Sequence, residues 1–181
     1  MKVIPTAISN VLVFKPKVFE DNRGYFFEAF NENVFSNIGI DKAFVQDNQS
    51  LSEKNVLRGM HFQEPPFDQG KLVRVIKGAV LDVALDIRKN SPTYGKWVSQ
   101  VLSEQNKLMM WIPSGFAHGF LTLENNTIFF YKCTGFYNSR SEGIIMWNDT
   151  HLNIDWNISN PIISERDQQG QPFNNFVTPF E

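Results

Sequence analysis

The stretch from Val80 to Ile87 constrains this chain most. Leu81, Val83, Leu85 and Ile87 alternate there with Val80, Asp82, Ala84 and Asp86. A repeat of two is the signature of a β-strand. Leu72-Val73-Arg74-Val75-Ile76 forms a second such run just before it, and Lys77-Gly78 lies between them. Glycine accepts a positive φ, so the pair predicts a hairpin. Further strands are expected at residues 11–19, 24–30, 44–49, 56–63, 97–102, 108–112, 119–124, 127–134 and 143–147. Turn signals separate them at the spacing of a sandwich or barrel. Many antiparallel strands with closed edges predict a mainly β jelly roll.

Helix signals are few. Asn31 is placed to cap a short helix through Glu32, Val34, Phe35 and Ile38, with Gly39 as its stop. The tail after Trp147 contains Pro161, Pro172 and Pro179, yet Trp156, Ile162 and Ile163 predict that it packs on the barrel. No repeat or flexible linker divides the 181 residues, so residues 1–181 are expected to form a single domain.

Charge and cysteine usage narrow the function. A net charge of −2 lacks the basic footprint of a nucleic-acid binder. The single Cys133 forms no internal disulfide and fits a reducing compartment. No leading apolar run resembles a signal peptide, and runs such as 108–112 are too short to cross a bilayer. A cytoplasmic protein without membrane partners is expected.

Two of the three histidines sit among apolar residues and glycine. His61 lies in Leu57-Arg58-Gly59-Met60-His61-Phe62-Gln63, and His118 in Pro113-Ser114-Gly115-Phe116-Ala117-His118-Gly119. An imidazole enclosed in a barrel can move protons near neutral pH. A core histidine bonded to a carbonyl is the ordinary alternative for either ring.

An ordered set of motifs carries a resemblance. It includes Arg23-Gly24-Tyr25-Phe26-Phe27-Glu28, Phe44-Val45-Gln46-Asp47-Asn48, Leu57-Arg58-Gly59-Met60-His61, Gln69-Gly70-Lys71-Leu72-Val73-Arg74, Trp111-Ile112-Pro113-Ser114-Gly115-Phe116-Ala117-His118, Tyr131-Lys132-Cys133-Thr134 and Ser164-Glu165-Arg166-Asp167. Over nearly its whole length the chain resembles the dTDP-4-dehydrorhamnose 3,5-epimerase family of cupin-type jelly rolls. The resemblance implies epimerisation at C3 and C5 of a nucleotide-linked 4-keto-6-deoxyhexose. The C4 ketone acidifies both C–H bonds. A base takes a proton to give an enolate, and an acid on the opposite face returns one.

By this resemblance His61 is the base, Asp167 the carboxylate that orients it, Tyr131 the acid and Lys71 the cation at the enolate oxygen. Arg23 and Arg58 match contacts to the diphosphate or sugar, although either is equally an ordinary surface ion pair. Glu28, Gln46 and Asn48 match polar contacts to the ligand, Tyr137 the ring stacked on thymine, and Glu142 and Arg166 further ligand contacts. Asp82 alternates with Leu81 and Val83, so it can point inward and orient His118. That pair serves either as structural support or as direct substrate contact.

The chain departs from the usual pattern at Gly135 and Phe136, where Asp and Tyr are common, at Gln49, where His is common, and at Met60 and Phe62. The Gly135-Phe136 change bears on the nucleobase more than on the chemistry. A single-centre epimerase, or one acting on another nucleotide sugar, uses the same base and acid. A non-catalytic sugar-nucleotide-binding jelly roll would keep the scaffold without the base and acid. A metal-dependent cupin needs several converging ligands, and no His-x-His element is present. No metal, nicotinamide or flavin is expected, because epimerisation beside a ketone involves no net redox change and no Gly-x-Gly-x-x-Gly element occurs. The resemblance also implies a homodimer in which the segment bearing Arg23 and Glu28 reaches the neighbouring subunit.

Overall fold

A computed structural model describes residues 1–181. Thirteen strands and one short helix follow in order: β1 (Lys2–Pro5), β2 (Leu12–Lys15), β3 (Phe19–Asp21), β4 (Gly24–Phe26), α1 (Glu32–Ser36), β5 (Gln46–Ser52), β6 (Leu57–Gln63), β7 (Lys71–Lys77), β8 (Ala79–Asp86), β9 (Trp97–Ser103), β10 (Met109–Ile112), β11 (Phe116–Thr122), β12 (Thr127–Cys133) and β13 (Glu142–Ile144). A six-stranded sheet runs β1-β2-β10-β7-β12-β5, and a five-stranded sheet runs β13-β6-β11-β8-β9. Strands β3 and β4 form a separate two-stranded ribbon. The architecture is the expected jelly roll.

The interior between the two sheets takes side chains from both. Val73 and Val75 of β7 and Phe129 of β12 meet Val80 and Ala84 of β8 and Phe116 and Phe120 of β11. Asp82 shares the parity of Val80 and Ala84, so it faces the same interior. The other face of the five-stranded sheet carries Leu57, Met60, Phe62, Val83, Leu85 and Ile87. The C-terminal tail covers it with Leu152, Trp156, Phe176 and Phe180, as its apolar residues predicted. Both faces of β8 are therefore buried, which explains why both sets of alternating positions contain apolar residues. Ile162 departs from the expectation. Its side chain is 59% exposed, and it joins the barrel only through backbone bonds to Asn55 and Leu57.

The hairpin expected at Lys77-Gly78 does not form. β7 is paired on its two edges by β10 and β12, and β8 by β11 and β9, so the two strands lie in different sheets. Gly78 does take a positive φ of 79°. Its N–H donates to the Glu104 carboxylate at 2.8 Å instead of to a ladder partner. A side chain there would crowd the Thr127 backbone, its Cβ lying 3.1 Å from Thr127 Cα. The glycine thus makes a sheet-to-sheet corner. The first strand, β1, was not anticipated. Its residues Lys2 to Pro5 are largely exposed on a sheet edge and lack alternation. The short helix has the expected cap, with the Asn31 side chain accepting from the Val34 N–H, but it ends at Ser36, before Ile38, and Gly39 follows at φ 86°.

Candidate active site

A register irregularity between β6 and β11 aims the first histidine. His61 pairs with His118 and Arg58 with Phe120, so Gly59 and Met60 together oppose Gly119. Such a bulge reverses the strand's alternation. Without it, Leu57 and His61, four residues apart, would share a face. With it, Leu57, Met60 and Phe62 pack outward and His61 lines a cavity inside the barrel. Glycine is required on both sides of the bulge. A Cβ on Gly59 would stand 2.5 Å from Gly119 Cα, and one on Gly119 would stand 3.0 Å from the Arg58 carbonyl oxygen.

The cavity holds about 290 Å³ and is lined by residues of five strands and two connecting segments, among them His61, Lys71, Tyr131, Gln46, Asn48, Tyr137 and Glu142. Asp167 approaches His61 from a 3-10 turn in the tail, residues Asp167–Gln169. Its Oδ1 lies 2.7 Å from His61 Nε2, and its Oδ2 accepts from the Gly59 N–H at 3.2 Å. Burial acts to raise the Asp167 carboxyl. Bonds from His61, Gly59 and Ser164 outweigh it and hold the group below the usual carboxylate range. An ionised Asp167 fixes the proton of a neutral His61 on Nε2, which leaves Nδ1 as the free, basic nitrogen.

Lys71 opens β7 directly opposite Cys133 of β12. Burial pushes its ammonium below the ordinary lysine range, with Cys133, Glu142 and Asp82 opposing that shift. Its Nζ lies 6.0 Å from the centre of the Tyr131 ring. Burial is also the main reason that the Tyr131 hydroxyl is pushed up to about 12. His118 is buried deeper, with Nε2 2.9 Å from Asp82 Oδ2, and its ring stacks on Phe129. Burial pushes this imidazole below its ordinary range, which favours the neutral ring. His118 and Asp82 form the pair that parity suggested, but neither lines the cavity.

At the cavity mouth the Tyr137 hydroxyl donates to Glu142 Oε2 at 2.9 Å, and Arg166 pairs with the same carboxylate. Gln46 and Asn48 are bonded to each other at 3.1 Å on β5. Arg58 stays outside the lining and donates to Ser52 Oγ at 3.1 Å. Arg23 and Glu28 are not brought to this cavity. Arg23 is exposed on the β3–β4 ribbon and pairs with Asp21, while Glu28 is exposed and accepts from Asn31. The sequence reading missed Gln63 and Gln69, which both line the cavity. Gln63 was recoverable, since it lies two residues beyond His61 on the same strand and so shares its face.

The sequence and the fold match known proteins. Residues 5–175 fit the family profile described as dTDP-4-dehydrorhamnose 3,5-epimerase. The dTDP-4-dehydrorhamnose 3,5-epimerase of Shigella flexneri is 53% identical over 174 residues, 96% of each chain. The crystal structure of the enzyme of that name from Elizabethkingia anophelis superposes with a TM-score of 0.93 at 46% identity, covering 97% of both chains. The dTDP-6-deoxy-D-glucose-3,5-epimerase of Legionella pneumophila, solved in complex with dTDP-4-keto-L-rhamnose, gives a TM-score of 0.94 at 44% identity, covering 97% of this chain and 94% of that one. With its fold and nearly all of its length in agreement with theirs, this chain belongs to the dTDP-4-dehydrorhamnose 3,5-epimerase family.

Proposed function

We propose that this isomerase epimerises C3 and C5 of dTDP-4-dehydro-6-deoxyglucose, giving dTDP-4-dehydrorhamnose, with His61 as base and Tyr131 as acid. The observation that carries this reading is the 2.7 Å contact of His61 and Asp167 in a cavity that Tyr131 and Lys71 also line. His61 Nδ1 takes a proton from the carbon beside the ketone. The imidazolium that forms is stabilised by Asp167. The electron pair moves into the ketone, and Lys71 faces the oxygen on which charge develops. A preorganised cation in a site shielded from water acts more strongly than one in solvent. Tyr131 then returns a proton to the opposite face, and the centre is inverted. Between rounds the imidazolium releases its proton to solvent and the tyrosinate regains one, and two such rounds account for both carbons. Tyr137 stacks on the thymine at the mouth, with Glu142 and Arg166 beside it. The ketone itself delocalises the charge, so the scheme calls for no added cofactor. Incubation with substrate in D2O and EDTA, followed by NMR, tests it. Deuterium should enter at both C3 and C5. Label at one carbon alone would mark a single-centre epimerase, and metal-restored activity would return the metal-cupin reading.

A second copy of the chain completes the assembly in this proposal. The β3–β4 ribbon exposes Phe19, Tyr25 and Phe26 by 53%, 56% and 70% beside Arg23. Clustered exposed rings of this kind mark a surface that another molecule covers. A homodimer would bury them, hide sheet edges and carry Arg23 and Glu28 toward the neighbour's cavity. Light scattering at micromolar concentration should give twice the 20.9 kDa chain mass. A fully active monomer would sink this part of the proposal. No helix is long and apolar enough to cross a membrane. We place the enzyme in the cytoplasm on its composition.

A further inference from the structure

The segment after β12 has little to hold it. No backbone–backbone hydrogen bond reaches Gly135, Phe136 or Tyr137, and Phe136 and Tyr137 are 67% and 49% exposed. Three glutamine side chains from three parts of the fold bind it instead. Gln69 Nε2 donates to the Gly135 carbonyl at 2.7 Å. Gln46 Oε1 accepts from the Tyr137 N–H at 2.9 Å, and Gln63 Oε1 accepts from the Asn138 N–H at 2.8 Å. All three line the cavity, and Gln63 is only 5% exposed. A buried amide with one oriented bond to a loop backbone fixes that loop at low entropic cost, since its own rotamer is already packed.

We propose that Gln63 and Gln69 are positioning residues that, with Gln46, clamp residues 135–138 so that the Tyr137 ring is preorganised for the nucleobase. This rests on the reading of Tyr137 as the base-stacking ring. Binding then spends less freedom on ordering the ring, so the clamp acts on nucleotide affinity and not on proton transfer. It also explains how Gly135 and Phe136 are tolerated, because the clamp holds this segment chiefly by its backbone. The two glutamines use opposite ends of their amides. Gln63 works as an acceptor and Gln69 as a donor.

That polarity supplies the test. Calorimetry of the full chain with dTDP compares Gln63→Met, Gln63→Glu and Gln69→Glu, each alone and combined with Tyr137→Ala. Gln63→Met removes the acceptor and should weaken dTDP binding about tenfold, raise KM similarly and leave kcat near wild type. Gln63→Glu keeps the acceptor and should stay within about threefold of wild type. Gln69→Glu loses the donor and should match the tenfold loss. Both glutamates add one charge to the cavity, and burial penalises it more at Gln63 than at the less buried Gln69, so charge alone would give the opposite order. In the Tyr137→Ala background the losses should vanish. Equal behaviour of the two glutamate variants, additivity with Tyr137→Ala, or a fall in kcat at constant KM would overturn the clamp. If Gln63→Met does not fold, the contrast between the glutamates decides. Should Tyr137→Ala bind dTDP like wild type, the reading of Tyr137 fails and the clamp with it. Should Tyr137→Ala weaken binding while Gln63→Met does not, the clamp alone fails.

Discussion

A His61→Ala variant is expected to lose deuterium exchange at both C3 and C5, with turnover reduced about 10³-fold or more and dTDP binding retained. Removing a general base alone costs on the order of 10²–10⁴ in rate. Glu142 also lines the cavity, but its carboxylate is engaged by Tyr137 and Arg166. His118 is pushed down by burial, points its Nε2 at Asp82, and does not line the cavity. Asp167→Asn should approach the same loss with every other contact in place. Its amide preserves the shape of the carboxylate but neither fixes the His61 proton on Nε2 nor stabilises the imidazolium, a change worth on the order of 10²–10⁴. A folding control comes from acid titration. The Asp167 carboxyl is held below its ordinary range, so its contribution to stability is present above that range and fades as pH falls through the lowered value. Acid should therefore cost wild type more stability than it costs Asp167→Asn. Wash-in at either carbon by His61→Ala would remove His61 from the base role.

The parts of this molecule that could be read from sequence are those that depend on local patterns. The alternation from Val80 to Ile87 places Asp82 inside beside Val80 and Ala84, and Asn31 caps its helix as a short polar side chain should. Pairing partners are different. A strand such as β7 pairs with β10 and β12, so the positive φ at Gly78 is as compatible with a corner as with a hairpin, and only closure of the two sheets decides between them. The same limit applies to the site. Asp167 meets His61 across 106 residues of sequence, and only the family motifs suggested the pair. The reversal at Gly59-Met60 also hides the facing of His61, because strict alternation from Leu57 gives the wrong side. Arg23 and Glu28, too, stand out only through the family motifs. Their distance from the cavity is what a single copy of a chain would show if another copy receives them.

A Tyr131→Phe variant is expected to lose inversion by about 10²–10⁴ while retaining deuterium wash-in at the configuration of the starting sugar. The ring keeps its place on β12, opposite Val73 of β7 and Asn48 of β5, and only the hydroxyl goes. His61 can still remove a proton and return a deuteron on its own face, so exchange outlives epimerisation. Burial, with the neighbouring Cys133 and Glu142, pushes the Tyr131 hydroxyl up to about 12, and the opposing pull of Arg58 is too weak to reverse this. The hydroxyl therefore stays protonated through the neutral and mildly alkaline range and remains able to donate. It follows that Tyr131 does not set the alkaline limit of the rate. In the proposed mechanism Lys71 is expected to set it, because burial lowers its ammonium, and a lowered cation loses its proton as pH rises past a value below the free lysine range. Exchange in wild type and in Tyr131→Phe should fall along the same alkaline limb. Lys71→Arg should carry that limb to higher pH, since a guanidinium keeps its charge, though at a reduced maximum rate. Wash-in at C3 and C5, scored by NMR from neutral pH up to the stability limit, separates these outcomes. Full epimerisation by Tyr131→Phe would show that another group supplies the proton, and a limb unmoved in Lys71→Arg would take the enolate charge away from Lys71.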